Sequence, residues 1–176
     1  MDNKLKNLEI LGIFFTFLSG ILLKFCYTLS NMSVWSIFIG AVNSSIWEYT
    51  KIFLIPYVIW DILELAMFKK VSLKAFVISK VIGLYSIALL NIIIISILRS
   101  ILSNNISYIE IIIFFISSIA GFTLSYLSYR NVKESLFSVF FFLMLLSISM
   151  IISFTVNPPM INLFKDPLSN TYGLLS

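Results

Sequence analysis

Few residues of this chain have the types and spacing for chemistry, and they gather in two places. The first is "GAVNSSIWEYTKIF", residues 40–53, where Asn43, Ser45, Trp47, Glu48 and Lys51 fall between two long apolar runs. Glu48 and Lys51 are three residues apart and share one helical face, so the carboxylate is a candidate acid/base beside an ammonium group. The second is the tail "NPPMINLFKDPLSNTYG", residues 157–173, with Asn157, Asp166 and Tyr172. Asp166 is the other candidate acid/base, since general acid–base work needs a positioned proton acceptor.

The rest of the inventory excludes more than it offers. The chain has no histidine, which removes a His-ligated zinc or haem and His-based nucleophilic catalysis. There is no P-loop, no Gly-x-Ser-x-Gly, no zinc-ligand spacing and no basic stripe for nucleic acid. The reading therefore assigns no cofactor and no metal. Glu48 also has a purely structural reading. Ser45-Ile-Trp-Glu48 is a Ser-x-x-Glu capping box, in which serine caps the N3 amide and glutamate reaches back to the N-cap amide. Both readings stay open.

The elements that position these residues follow from composition. Of 176 residues, 60% are hydrophobic and 11% charged, against about 25% charged in a soluble domain, and the mean hydropathy is +1.04. This predicts an all-α polytopic membrane helix bundle, one membrane domain over residues 1–176. Runs of about 20 apolar residues cross a bilayer core, and five are read at 10–29, 47–68, 75–98, 109–129 and 135–155. Segment 31–41, "NMSVWSIFIGA", is too short to span and reads as interfacial or re-entrant, with Trp35 near the headgroups. Residues 156–176 are too polar and proline-broken for a further span, yet rich enough in apolar side chains to fold back as a lid. The first run follows Lys4 and Lys6 but lacks a cleavage motif, so it is expected to be a mature helix. Cys26, the single cysteine, has no intrachain partner for a disulfide. The Ile-, Phe-, Asn- and Lys-rich composition suggests an AT-rich bacterial genome.

Charge decides orientation when counted over short loops. Lys4, Lys6, Lys69, Lys70, Lys74, Arg130 and Lys133 fall on one side, against Arg99, Lys165, Lys24 and Lys51 on the other. That places the chain in the cell membrane, with the amino terminus cytoplasmic and the carboxyl terminus extracellular. The 30–46 loop and the tail then share the outer face. If the second and third spans form a hairpin centred near Lys70, Asn91 lies at the depth of Thr50 and Arg99 at that of Val42. Asn43, Ser45, Trp47, Glu48, Lys51, Asn91 and Arg99 are then expected to join Asn157, Asp166 and Tyr172 around one outer pocket. The same hairpin sets Asp61 level with Lys80 as an intramembrane ion pair, with Glu64 as competing partner and a proton or ion path as the alternative role. In the fourth span, Ser117, Gly121 and Ser125 recur every four residues, a close-packing pattern. Pro56 is expected to kink the second span.

The stretch from Asn43 to Lys51, with Pro56 beyond it, resembles an uncharacterised family of small multi-pass membrane proteins common in clostridia and their relatives. That family's pattern reads Asn-Glu-Ser-x-Trp-Glu-His-x-x-Lys. In the tail Pro158, Pro159, Leu163, Phe164, Asp166, Pro167, Tyr172 and Gly173 fall on its proline-proline, leucine-phenylalanine, aspartate-proline and tyrosine-glycine positions. Ser44 stands where relatives often have glutamate and Tyr49 where they have histidine, so the Glu-plus-Glu-His constellation that could serve as a metal site or acid–base pair in the family is missing from this chain.

Three functions remain. The first is a noncatalytic pocket for a small polar molecule or lipid headgroup, by itself or within a transport system, with Lys51, Arg99 and Lys165 for an anion and Trp35, Trp47 and Tyr172 as rim. The second is a membrane-embedded hydrolase or transferase acting on a lipid with Glu48 or Asp166. The third is a structural or immunity-type subunit docking a membrane-protein partner or a second copy through the small-residue face. The bilayer is the expected partner, and nucleic acid is not.

Overall fold

In the computed structural model, which describes residues 2–67, 72–102 and 107–174, the chain folds into helices, with no strand among the described residues. The elements are α1 (Asp2–Leu29), α2 (Val34–Ile39), α3 (Ile46–Met67), α4 (Leu73–Leu102), α5 (Ser107–Tyr129), a 3-10 turn (Glu134–Leu136) and α6 (Phe137–Val156). Lys69 and Lys70, the expected hairpin centre, lie outside the described residues.

Four helices, α1, α4, α5 and α6, are long and apolar enough to cross a membrane. The 22-residue α3 is as long but carries Glu48, Lys51, Asp61 and Glu64, which lowers its apolar character. Its position explains the charges: most of its residues are buried against neighbouring helices, and α1 and α4 pack along it. Polar groups therefore point inward, while Leu11, Phe14, Leu18 and Leu22 of α1 and Phe141, Phe142, Leu145 and Ile152 of α6 are exposed on the outside.

The long helices alternate in direction, so two ends can be named by contact. At one end the Lys4 ammonium donates to the Met67 carbonyl at 2.9 Å, and Ser72 hydrogen-bonds Glu134. This basic end gathers the start of α1, the end of α3 and the starts of α4 and α6. The opposite end holds α2, the start of α3, the end of α4 and the tail.

Helix α1 begins eight residues before the expected start of the first span. Leu5, Leu8, Glu9, Gly12, Thr16 and Gly20 recur at helical spacing, and all are buried. Gly12 lets Trp60 and Phe122 sit against the α1 backbone, and Gly20 admits Phe53. Between α4 and α5 a side chain added to Gly83 would strike Tyr57, and one added to Gly121 would strike Ile87. Each glycine faces the other's carbonyl at 2.9 Å from an added Cβ. Ser117 and Ser125 are fully buried on this same face, so the small-residue pattern is used inside the bundle. Helix α3 continues through Pro56, although the proline has no N–H for the Ile52 carbonyl.

Segment 31–41 contains the six-residue α2, bounded by Ser33 and Gly40. Trp35 and Val34 point outward, and Ser36 is buried, held by Ser30 Oγ at 2.7 Å. The segment packs on α1, α3 and α6.

Candidate functional site

The start of α3 is built from its own cap. Ser45 Oγ accepts the Glu48 amide at 3.2 Å, the serine half of a capping box. The glutamate half differs. The Ser45 amide is already taken by Asn43 Oδ1 at 2.9 Å, so the Glu48 carboxylate reaches further and accepts the Val42 amide at 3.0 Å.

Lys51 completes this corner. Its ammonium lies 2.7 Å from Glu48 Oε2, and donates to the Ile37 carbonyl of α2 at 3.0 Å and to Thr155 Oγ1 of α6 at 3.1 Å. An ammonium has three donors, and these three acceptors use them all. Both side chains are buried. The pair thus ties three elements together and offers no free donor to a ligand.

The tail lies on the same corner. The Trp47 amide donates to the Leu163 carbonyl at 3.1 Å, and Asn43 Nδ2 donates to the Gly173 carbonyl at 3.1 Å. Phe164 is buried with its ring 5.4 Å from that of Trp47 and 5.1 Å from that of Phe154. Asp166 shapes the turn that follows: its carboxylate accepts the Leu168 amide at 3.1 Å and the Ser169 hydroxyl at 2.9 Å. Its own amide donates to the Thr171 carbonyl at 3.0 Å. Lys165 and Tyr172 form an antiparallel bridge across that turn, and Gly173 supplies the positive φ of 62° that glycine adopts without steric cost. Asn157 caps α6 with its amide on the Ser153 carbonyl at 2.9 Å, and its side chain is exposed.

A polar cavity of about 400 Å3 opens between this tail and the end of α4. Arg99, Lys165, Ser96, Ser100, Asn162 and Asn170 face it. Arg99 is held from behind. Its guanidinium contacts Glu110 Oε1 at 2.6 and 2.8 Å and donates to the Ser44 carbonyl at 3.0 Å. Tyr49, with its hydroxyl on Ser44 Oγ at 3.2 Å, presents its ring 5.9 Å from the Arg99 guanidinium and 4.7 Å from the Lys24 ammonium. Among the described residues no carboxylate pairs with Lys165.

The structure therefore brings Asn43, Ser45, Trp47, Glu48 and Lys51 to one corner with the tail. Of the residues expected around the pocket or for its anion, Arg99 and Lys165 line the polar cavity. Glu48, Lys51 and Trp47 are buried in the corner and do not reach the cavity, and Asn91 is fully buried, with neither side-chain atom hydrogen-bonded among the described residues.

Nearer the basic end, Asp61 Oδ1 is 3.5 Å from the Lys80 ammonium, while Glu64 at 2.7 Å and Glu9 at 3.0 Å are closer. The Lys80 backbone carbonyl accepts the Tyr57 hydroxyl at 3.1 Å.

The model of the family described as "Family of unknown function (DUF6512)" matches residues 1–174. The chain belongs to this family. No curated protein and no solved structure matches it.

Two residues of the buried charge clusters of this DUF6512 member escape sequence reasoning. Glu110 pairs with Arg99 across the connection between α4 and α5; a lone cation near one helix end and a lone acid near the next start were the available signal. Glu9 stands just ahead of the first predicted span, and only the helical spacing of Leu5, Leu8, Gly12 and Thr16 marks it as inward-facing. Among the described residues no group of histidine, cysteine and acidic side chains is arranged to hold a metal ion.

Proposed function

We propose that the protein crosses the membrane five times, with α3 as the enclosed fifth span, and binds an anionic group in the cavity between the tail and α4. Its amino terminus is cytoplasmic and the tail extracellular. The five-span reading is supported by the length of α3 and by the burial of its Glu48, Lys51 and Glu64 against partners from other elements or its own. The orientation is supported by Lys4, Lys6, Lys74, Arg130 and Lys133 at the basic end.

One observation carries the binding reading: Arg99 and Lys165 line the same cavity, and Lys165 has no acidic partner among the described residues. A guanidinium held by Glu110 and Ser44 is pre-oriented, which reduces the ordering cost of binding. Two serines and two asparagines add neutral hydrogen-bonding groups, and the volume suits a small anion or a lipid headgroup, pockets of this kind running from about 300 to 1,000 Å3. The shared chemistry is a phosphate or carboxylate group. Binding ranks above catalysis because the Glu48 and Asp166 carboxylates already serve backbone amides and neighbouring side chains.

The test is calorimetric titration of the purified protein with inorganic phosphate, and comparison of its stability in phosphatidylglycerol and phosphatidylcholine nanodiscs, each repeated with Lys165→Gln. Phosphate binding that Lys165→Gln weakens supports a soluble anion. Stabilisation by phosphatidylglycerol alone, again dependent on Lys165, supports a headgroup. No Lys165-dependent effect in either assay overturns the proposal.

A further inference from the structure

Away from the polar cavity, one buried cation faces three carboxyl groups. Glu9 comes from α1, Asp61 and Glu64 from α3, and Lys80 from α4. The ammonium takes Glu64 Oε2 at 2.7 Å, Glu9 Oε1 at 3.0 Å and Asp61 Oδ1 at 3.5 Å. Helix α5 contributes Ser125, which donates to Glu9 Oε1 at 3.0 Å, and Phe122, whose ring lies 5.6 Å from the ammonium. Tyr57 hydrogen-bonds the Lys80 carbonyl, and the Lys4 ammonium is engaged with the Met67 carbonyl. No second cation is ion-paired to these carboxyls among the described residues.

Fully ionised, the cluster would hold two negative charges more than Lys80 neutralises. Burying charge without a partner is costly, and a carboxyl in that position takes a proton instead. Three carboxyl oxygens of the cluster are buried with no hydrogen-bond partner, of which Asp61 Oδ1 still lies 3.5 Å from the Lys80 ammonium, and the other two mark where protons are missing from the hydrogen-bond network. Glu9 Oε2 and Glu64 Oε1 are buried with no hydrogen-bond partner, and both side chains are more than nine-tenths buried. The nearby Trp60 indole does not serve them, because its N–H is committed to the Leu8 carbonyl at 3.2 Å. A metal ion is the poorer occupant, since no metal-holding group of acidic side chains is found among the described residues.

We propose that Glu9, Asp61, Glu64 and Lys80 form a proton-binding site inside the bundle, which holds two protons at neutral pH. Each proton converts one carboxylate into a neutral acid, with Lys80 remaining an ammonium that balances the third. Asp61 is the point of exchange. It is the most exposed of the three acids, and with Lys80 it lies at a groove of about 230 Å3 whose other walls include Val58 and Leu65 of α3 and Met144 and Ile148 of α6. The site is separate from the anion cavity and stands or falls independently of it.

The experiment is infrared spectroscopy of the full-length protein in phosphatidylcholine nanodiscs near neutral pH, following the carbonyl stretch of protonated carboxylic acids in water and in deuterium oxide. The wild type is expected to show this band. Glu9→Gln, Asp61→Asn and Glu64→Gln should each remove about half of it, and Lys80→Met should raise it by about half, because each change alters the uncompensated charge by one. Where Lys80→Met does not fold, the three carboxamide variants decide, since they keep the acceptors that Lys80 uses. Absence of the band, a band that none of the three variants reduces, or a band abolished by sodium at constant chloride would overturn the proposal, the last in favour of a bound monovalent cation.

Discussion

Glu48 and Lys51 meet at 2.7 Å at the start of α3 with both side chains buried, and through Lys51 the pair reaches α2 and α6. The contact makes the most chemical-looking residues of the sequence part of the scaffold. Removing one partner of a buried pair leaves an uncompensated charge, whereas removing both is often nearly neutral. Lys51→Met is therefore expected to cost about 3–5 kcal/mol, and Glu48→Leu combined with Lys51→Met to recover most of that loss. Thermal unfolding in detergent checks both, and a double variant no more stable than the single one would contradict the assignment.

Ser45→Ala removes the acceptor of the Glu48 amide. Loss of an N-cap costs about 0.5–2 kcal/mol, so the unfolding midpoint should fall modestly. Glu48→Gln keeps an acceptor for both the Val42 amide and Lys51, and its loss in the same assay should exceed that of Ser45→Ala because the ammonium loses its counter-charge.

The tail is held by Phe164 between Trp47 and Phe154. Truncating a buried phenylalanine costs about 3–5 kcal/mol, and here the cost falls on docking of the tail. Phe164→Ala should make residues 157–174 susceptible to limited proteolysis while the circular-dichroism signal of the helices stays unchanged. An equally protected tail would mean that other contacts hold it.

Gly83 and Gly121 allow α4 and α5 to approach closely. Gly121→Ala would push against Ile87 and the Gly83 carbonyl, and overpacking of this kind costs about 1–3 kcal/mol. A lowered unfolding midpoint is expected, with no change in oligomeric size by gel filtration, because the face is turned inward.

Lys165 contributes to the cavity without supporting the fold. Lys165→Gln should leave the unfolding midpoint where it is and weaken phosphate binding about ten- to hundredfold, the loss of one charge-assisted hydrogen bond. Asp166→Ala should weaken it too, by loosening the turn that carries Lys165, while Asp166→Asn retains an acceptor for the Leu168 amide and should weaken it less.

The sequence by itself determined the helical class and the four helices long and apolar enough to cross a membrane, because runs of Leu, Ile and Phe of this length have few other ways to satisfy their backbone groups away from water. It also marked the Ser45 cap, whose partners lie within one turn, and it set Asp61, Glu64 and Lys80 near one level through the arithmetic of a hairpin. Tertiary structure decided what those residues do. Whether Glu48 faced a cavity or closed a corner depended on Ile37, Val42 and Thr155, contributed by other segments. The polar cavity depended on how the tail turns at Asp166 and where Glu110 holds Arg99. Glu9 joined Lys80 only because α1 begins early and lies along α3. Local spacing can say which face a side chain shares, but the partner on the facing helix is chosen by packing over the whole bundle, and that information is spread across segments distant in the chain.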